Sequence, residues 1–223
     1  MAIANLILVN SPLLGASSWA PTASALLAQD YAVHVPVVEA DMAWRNWPAR
    51  LAALSPKDSP LVLIGHSASG LLVPALATLV NAHGLIFVDA RVPPASGGVA
   101  PAEDGFLEFI RTLPIEDARL PPWSRWWGPN AIARLFADRS GFAAFEADLP
   151  RLPSNWFGDH IAVAPWAHIP AGYIQTSSSY MAEADGAVQR GWPVLRLNGT
   201  HLHPLLAPEE TAEAIIEIAR RLA

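Results

Sequence analysis

At 223 residues the chain suits one domain with a large core, and 52% apolar against 15% charged residues sets it far from disordered compositions. A net charge of −6, a single lysine (Lys57) and singly scattered arginines give no basic patch or stripe, so nucleic acid is excluded as an expected partner. With no cysteine in the sequence, disulfides, a thiol nucleophile and thiolate metal sites are excluded as well.

Apolar strand-like runs alternate with helical patterns along most of the chain. Ala2 to Val9 is the longest apolar stretch near the start, too short to span a bilayer and without a basic leader. It reads as a core strand (Ala4–Val9), and the expectation is a soluble, cytoplasmic protein with no membrane partner. A helix over Trp19–Gln29, a strand over Ala32–Val35 and a helix over Trp44–Leu54 follow. The next strand, Leu61–Ile64, runs into Gly65-His66-Ser67-Ala68-Ser69-Gly70 and a helix predicted over Ala68–Asn81. A serine on a sharp turn between a buried strand and a helix is held in a strained conformation with its hydroxyl exposed, so small residues are needed two positions either side. Gly65 and Ser69 meet that need, whereas Ser69 has Ser67 and Leu71 in the flanking places and cannot be the turn serine itself. Leu85–Val88 is the fourth strand, with Asp89 directly after it.

From Pro93 to about Pro170 the alternation stops. This stretch shows no convincing strand, many prolines, short amphipathic helices near Asp104–Leu113, Ala131–Ala137 and Phe142–Leu149, and Trp123, Trp126, Trp127, Trp156 and Trp166. It reads as a helical cap (93–170) inserted in a core made of 1–92 and 171–223. Trp123, Trp126, Trp127 and Trp156 are the candidate walls for an apolar substrate. Strands Gly172–Gln175 and Val194–Leu197 and a final amphipathic helix, Pro208–Leu222, complete the pattern. Strands separated by helices predict an α/β fold: a mostly parallel sheet of about six strands, helices on both faces, and ligands at the carboxyl ends of the strands.

A serine nucleophile needs a base within hydrogen-bond reach. Between the last strand and last helix lies Asn198-Gly199-Thr200-His201-Leu202-His203, with His201 two residues after Gly199 and seven before Pro208. His201 and His203 compete for the role, and His201 is the predicted base because its spacing matches the histidine loop of the family that the chain resembles on the motifs given next. His203, beside Pro204, is assigned to the loop or to a supporting hydrogen bond. His66 is expected to point into the fold, and His34, His83, His160 and His168 read as ordinary surface or packed residues.

On the elbow at Ser67, Asn10-Ser11-Pro12-Leu13-Leu14-Gly15, Phe87-Val88-Asp89-Ala90, Pro121-Pro122-Trp123-Ser124 with Trp126-Trp127, and Thr200-His201-Leu202-His203, the chain resembles the α/β-hydrolase superfamily over essentially its whole length. It is similar to a group of small bacterial hydrolases within it. The resemblance implies hydrolysis of an ester, lactone or related bond by serine, histidine and an acid, without metal or cofactor. The oxyanion would be held by backbone N–H groups, that of Ala68 being the first. Two departures stand out. Pro12 falls where the family usually offers a backbone N–H, which leaves Leu13's N–H or the Ser11 hydroxyl as the second donor. A hydroxyl at the Ser11 position also resembles hydroxynitrile lyases, although those carry lysine where this chain has Leu202. The loop that normally supplies the acid reads Thr176-Ser177-Ser178-Ser179-Tyr180, without a carboxylate. Asp89 is the preferred acid, with Asp185 or Glu183 and an acid-free dyad as alternatives. The predicted substrate is a small apolar ester or lactone; a ligand-binding homologue with little turnover, a lyase and a carbon–carbon hydrolase are the competing classes, and monomer and homodimer are left open.

Overall fold

The computed structural model describes residues 5–39, 42–57 and 59–222; Ala4, taken above as the first strand residue, lies outside them. The strands are β1 (Asn5–Val9), β2 (Val33–His34), β3 (Leu61–His66), β4 (Ala82–Val88), β5 (Gly97–Val99), β6 (Ile161–Val163), β7 (Ala171–Gln175) and β8 (Val194–Arg196). Six of them form one sheet in the order β2-β1-β3-β4-β7-β8, every neighbouring pair parallel. The chain leaves β1 for β2 on one side and returns to β3 on the other. The crevice between the carboxyl ends of β1 and β3 is therefore the switch point at which such sheets bind ligands.

Side chains alternate across the sheet, and the core divides accordingly. Leu6, Leu8, Val62, Ile64, Ile86 and Val88 face α1 (Ala20–Leu27) and Ala212, Ile215, Ile216 and Ile218 of a C-terminal helix spanning Pro208–Leu222. Ile7, Val9, Leu61, Leu63, Leu85 and Phe87 face the other way. They meet α2 (Trp47–Leu54), α3 (Val73–Ala77) and part of the segment between β4 and β7. Runs buried on both faces explain why these strands read as continuous apolar stretches. Each fully buried Ile or Leu among them contributes about 1.5–3 kcal/mol.

Between β4 and β7 lie α4 (Asp104–Arg111), α5 (Arg139–Asp148) and several single 3₁₀ turns. Two expectations are corrected here. The segment does contain strands, because β5 and β6 pair antiparallel, with Gly97 opposite Val163 and Val99 opposite Ile161. β5 begins Gly97-Gly98, with φ +108° at Gly97, and has no β-propensity to read, while the three residues of β6 are too few for their alternation to stand out. The helix expected over Ala131–Ala137 is only a 3₁₀ turn, Ala133–Leu135, ended by the extended backbone of Phe136, which packs on Phe142 and Phe145.

The helix after the elbow is also shorter than expected. It forms a 3₁₀ turn (Ser67–Leu71) and then α3, which ends at Ala77. Pro74 has no N–H to offer the Gly70 carbonyl, so a continuous α-helix cannot run through this point. After β7 come α6 (Met181–Gln189), the short α7 (His203–Leu206) and the C-terminal helix already described, α8 (Pro208–Leu222). Among the described residues, no helix is long and apolar enough to cross a membrane.

Candidate active site

Ser67 sits at the carboxyl end of β3 with φ +60°, the left-handed region that a non-glycine residue enters only when its surroundings force it. The surroundings are crowded. A Cβ on Gly65 would lie 2.9 Å from Val73, and one on Gly70 only 2.2 Å from the Arg91 carbonyl oxygen. The Arg91 N–H donates to the Ser67 carbonyl at 3.2 Å, tying the turn to the loop after β4. Ser69 is fully buried, and its hydroxyl lies 2.7 Å from the Val9 carbonyl and 2.8 Å from that of His66. It clasps β1 to the turn, and its size at a place that usually takes glycine is used rather than merely tolerated.

Asp89, one residue beyond β4, is fully buried and also has positive φ, at +43°. Its Oδ1 accepts the backbone N–H groups of Thr176 and Ser177, each at 2.9 Å, and its Oδ2 accepts the Ser177 hydroxyl at 2.6 Å. The same Oδ2 lies 2.7 Å from His201 Nδ1. The serine-rich loop that carries no carboxylate thus supplies the donors that hold one reaching in from the neighbouring strand. Tyr173 fixes the next residue: its phenol donates to the Ala90 carbonyl at 2.8 Å and accepts the Ala90 N–H at 3.0 Å. Burial alone would raise the Asp89 pKa. The hydrogen bond and charge of His201, with the donors from Ser177 and Thr176, outweigh it and leave the pKa lowered.

The His201 loop is stitched to the same frame. The Gly199 N–H donates to Thr176 O at 3.1 Å, and the Thr176 hydroxyl donates to Thr200 O at 2.9 Å. Gly199 is required because a Cβ there would stand 2.0 Å from His203 Nδ1. His203 itself is buried and bonds Glu210 at 3.0 Å through Nε2, away from the cavity. With Nδ1–H given to Asp89, His201 Nε2 is free to accept a proton. Its ring is flanked by Tyr180, stacked at 5.1 Å between centroids and 8° between planes, by His66 at 4.6 Å and by Trp123 at 5.9 Å.

Ser67, Ala68, His201 and Leu13 all line one cavity of about 470 Å³ at the switch point. The Ser67 hydroxyl lies 3.5 Å from that of Tyr180, its hydrogen-bond partner here rather than the His201 ring. Catalytic contacts of this kind commonly tighten only when substrate fills the site. The sequence reading gives Tyr180 no role, yet the residue lines the cavity beside Ser67. The signal was available, since the loop after β7 opens on the same rim as the elbow, whatever acid it lacks.

The cavity wall differs from expectation in part. Trp123 and Trp127 line it, together with Phe106, Phe157, Ile132 and Leu135. Trp126 and Trp156 do not. Trp126 lies against Phe106 and Phe157, and Trp156 sits between Phe157 and Trp44; their indole N–H groups donate to Pro121 O at 2.8 Å and Met42 O at 3.1 Å. They support the phenylalanines that face the cavity. Arg91 and Glu103, paired at 2.7 Å, and Glu183 supply the charge at the cavity's edge.

Ser11 is corrected as well. It is fully buried, does not line the cavity, and its hydroxyl accepts the Leu13 N–H at 3.2 Å. It shapes the turn after β1, as does Asn10, whose amide donates to Leu14 O at 2.6 Å. Leu13 remains on the cavity, and Ala68 stands at the start of a 3₁₀ turn, where N–H groups have no partner within the helix. Asp185 is likewise set aside, because it pairs with Arg196 at 2.6 Å on the surface.

The alpha/beta hydrolase family model matches residues 6–214. The chain belongs to that family. No curated protein matches the sequence. Among solved structures, the chain is similar to an extracellular alpha/beta-hydrolase from a Paenibacillus species, described as sharing structural and functional homology with tobacco salicylic acid binding protein 2. That match has 16% identity and a TM-score of 0.71, covering 96% of this chain and 98% of the other. A pyrethroid hydrolase from Sphingobium faniae JZ-2 aligns with 22% identity and a TM-score of 0.64, covering 97% of each chain. A polyneuridine aldehyde esterase variant aligns with 14% identity and a TM-score of 0.73, covering 97% of this chain and 99% of that one. At such identities the likeness establishes the fold. This hydrolase therefore has to be read from its own site.

One property of that site is measurable without a substrate. The His66 Nε2–H donates to the His201 carbonyl at 2.9 Å, and its Nδ1 is buried without a partner among the described residues. Burial, reinforced by the His201 charge, pushes the His66 pKa down to about 3. Unfolded histidine titrates near 6.5, so between about pH 6.5 and 3 the unfolded chain binds a proton that the folded chain refuses. Stability from this group is complete above pH 6.5 and is lost as pH falls. His66→Gln keeps a donor for the carbonyl and removes the titration. The expected result is a shallower loss of thermal stability between pH 6.5 and 5, by about 1 kcal/mol per pH unit, measured by thermal denaturation against wild type.

Proposed function

We propose that this hydrolase cleaves a carboxylic ester or lactone with an apolar or aromatic part, through Ser67, His201 and Asp89 and an acyl-enzyme. The observation that carries the reading is the 2.7 Å bond from His201 to a fully buried Asp89 on the cavity that also holds the strained Ser67. Ser67 Oγ attacks the carbonyl carbon as its proton passes to His201 Nε2, and Asp89 stabilises the imidazolium. The Ala68 N–H takes the oxyanion, and the Leu13 N–H joins it by leaving the Ser11 hydroxyl that it reaches at 3.2 Å. His201 then protonates the departing alcohol, and water repeats the sequence to release the acid.

The cap segment 93–170 supplies Phe106, Trp123, Trp127 and Phe157 as aromatic walls, which suit a flat or bulky apolar group, and 470 Å³ is ample for a small-molecule substrate. The hydroxynitrile-lyase reading loses its support with Ser11 buried away from the cavity. Fluorophosphonate labelling followed by hydrolysis of esters graded in acyl length, lactones included, tests the proposal. A covalent adduct on Ser67 and faster turnover of bulky apolar esters are expected. An unlabelled Ser67 with no ester turned over would refute it.

A further inference from the structure

Tyr180 lines the cavity beside Ser67 and His201, and its hydroxyl has as yet no role. Its phenol oxygen lies 3.5 Å from Ser67 Oγ, its ring stacks on His201, and its hydroxyl has no other hydrogen-bond partner among the described residues. The topology settles the side from which it approaches. In the order β1-β3-β4-β7-β8, Ser67 rises from β3; Leu13 comes from β1 on one side, and Tyr180 and His201 come from the β7 and β8 loops on the other. An oxyanion held by the Ala68 N–H on the β1 side points the remaining oxygen of a tetrahedral centre toward His201 and Tyr180.

Resting on the ester-hydrolase reading, we propose that Tyr180 is a catalytic hydrogen-bond donor to the leaving-group oxygen. In the resting enzyme its hydroxyl contacts Ser67. As the bond between the acyl carbon and the alcohol oxygen breaks, the electron pair goes to that oxygen and the proton from His201 Nε2 follows. Tyr180 donates a hydrogen bond to the same oxygen and keeps its own proton. Burial is the main reason it does so: with Asp89 and Glu183 adding to the effect, and the Ser67 contact opposing it, the phenol pKa is pushed up to about 12. It is a donor, not a phenolate, throughout the working range.

The Tyr180→Phe variant removes the hydroxyl and keeps the ring stacked on His201. A leaving-group donor matters most for alkoxides, which depart poorly, and least for nitrophenolate, which needs no help. The expected result is a loss of about 10²-fold in kcat/KM for alkyl esters and of only a few-fold for the nitrophenyl ester of the same acid, so that the dependence of rate on leaving-group pKa steepens. Fluorophosphonate labelling of Ser67 at a rate near wild type would accompany it and show the variant folded and its nucleophile intact. An equal loss across the series, an unchanged series, or failure to label would each overturn the inference, because the phenol would then serve only to position Ser67 or the loop. A wild-type enzyme that neither labels nor hydrolyses would bring down the hydrolase reading itself, an outcome distinct from an active wild type with an unchanged slope.

Discussion

Ser67→Ala is expected to lower kcat by about 10⁶-fold while the protein stays folded. Serine and alanine meet the same steric cost at φ +60°, and the lost hydroxyl has only a long 3.5 Å contact with Tyr180 to give up, so the melting temperature should hardly move. Without Oγ no acyl-enzyme forms, and what remains is the modest acceleration that bound substrate gains from the oxyanion donors. Ser69→Ala supplies the contrast. It removes a buried hydroxyl placed between the Val9 and His66 carbonyls and should cost about 1–3 kcal/mol of stability, with turnover largely retained. Steady-state kinetics and thermal denaturation of both purified variants decide the matter. Lost turnover in the Ser69 variant with retained turnover in the Ser67 variant would reverse the assignment of the elbow.

The legible parts of this fold are those in which local pattern and burial agree. Leu61 to Ile64 is buried on both faces, and Pro208–Leu222 turns one apolar stripe toward β4, β7 and α1, so both elements are legible in the sequence. The histidine loop was readable for a different reason. Its place between the last strand and the last helix, and its spacing from Gly199 and Pro208, match the family's histidine loop; the structure adds that a Cβ on Gly199 would meet His203. The segment between β4 and β7 was poorly legible because its order is tertiary. β5 and β6 lie more than sixty positions apart in the sequence, as their pairing of Gly97 with Val163 shows, and each is too short to announce itself. Which tryptophan faces the cavity was equally hidden. Trp123 and Trp126 are 8% and 5% exposed, yet one borders His201 and the other lies behind Phe106. No one-dimensional pattern separates those two fates.

Asp89→Asn is expected to lower kcat by up to about 10⁴-fold with a stability loss no greater than about 1–2 kcal/mol. Asparagine is nearly isosteric, and its carbonyl oxygen can still accept the Thr176 and Ser177 N–H groups that now reach Oδ1. The damage falls on the other oxygen. There an amide NH₂ replaces the acceptor 2.7 Å from His201 Nδ1, and two donors cannot share a hydrogen bond. The imidazole must present Nδ1 as an acceptor, which moves its proton to Nε2 and leaves Ser67 facing a nitrogen that cannot take one. The negative charge that stabilises the imidazolium is lost too. In stability the sign is that of a lowered carboxylate pKa: the Asp89 contribution is intact above about 3.9 and is surrendered as pH falls through the lower native value. Glu183→Gln and Asp185→Asn form the comparison: Glu183 borders the cavity without bonding His201, and Asp185 belongs to a surface pair with Arg196. Both variants should turn over within a few-fold of wild type. An active Asp89→Asn beside a crippled Glu183→Gln would move the acid from the end of β4 to the first turn of α6, and the geometry around His201 would then have to rearrange when substrate binds.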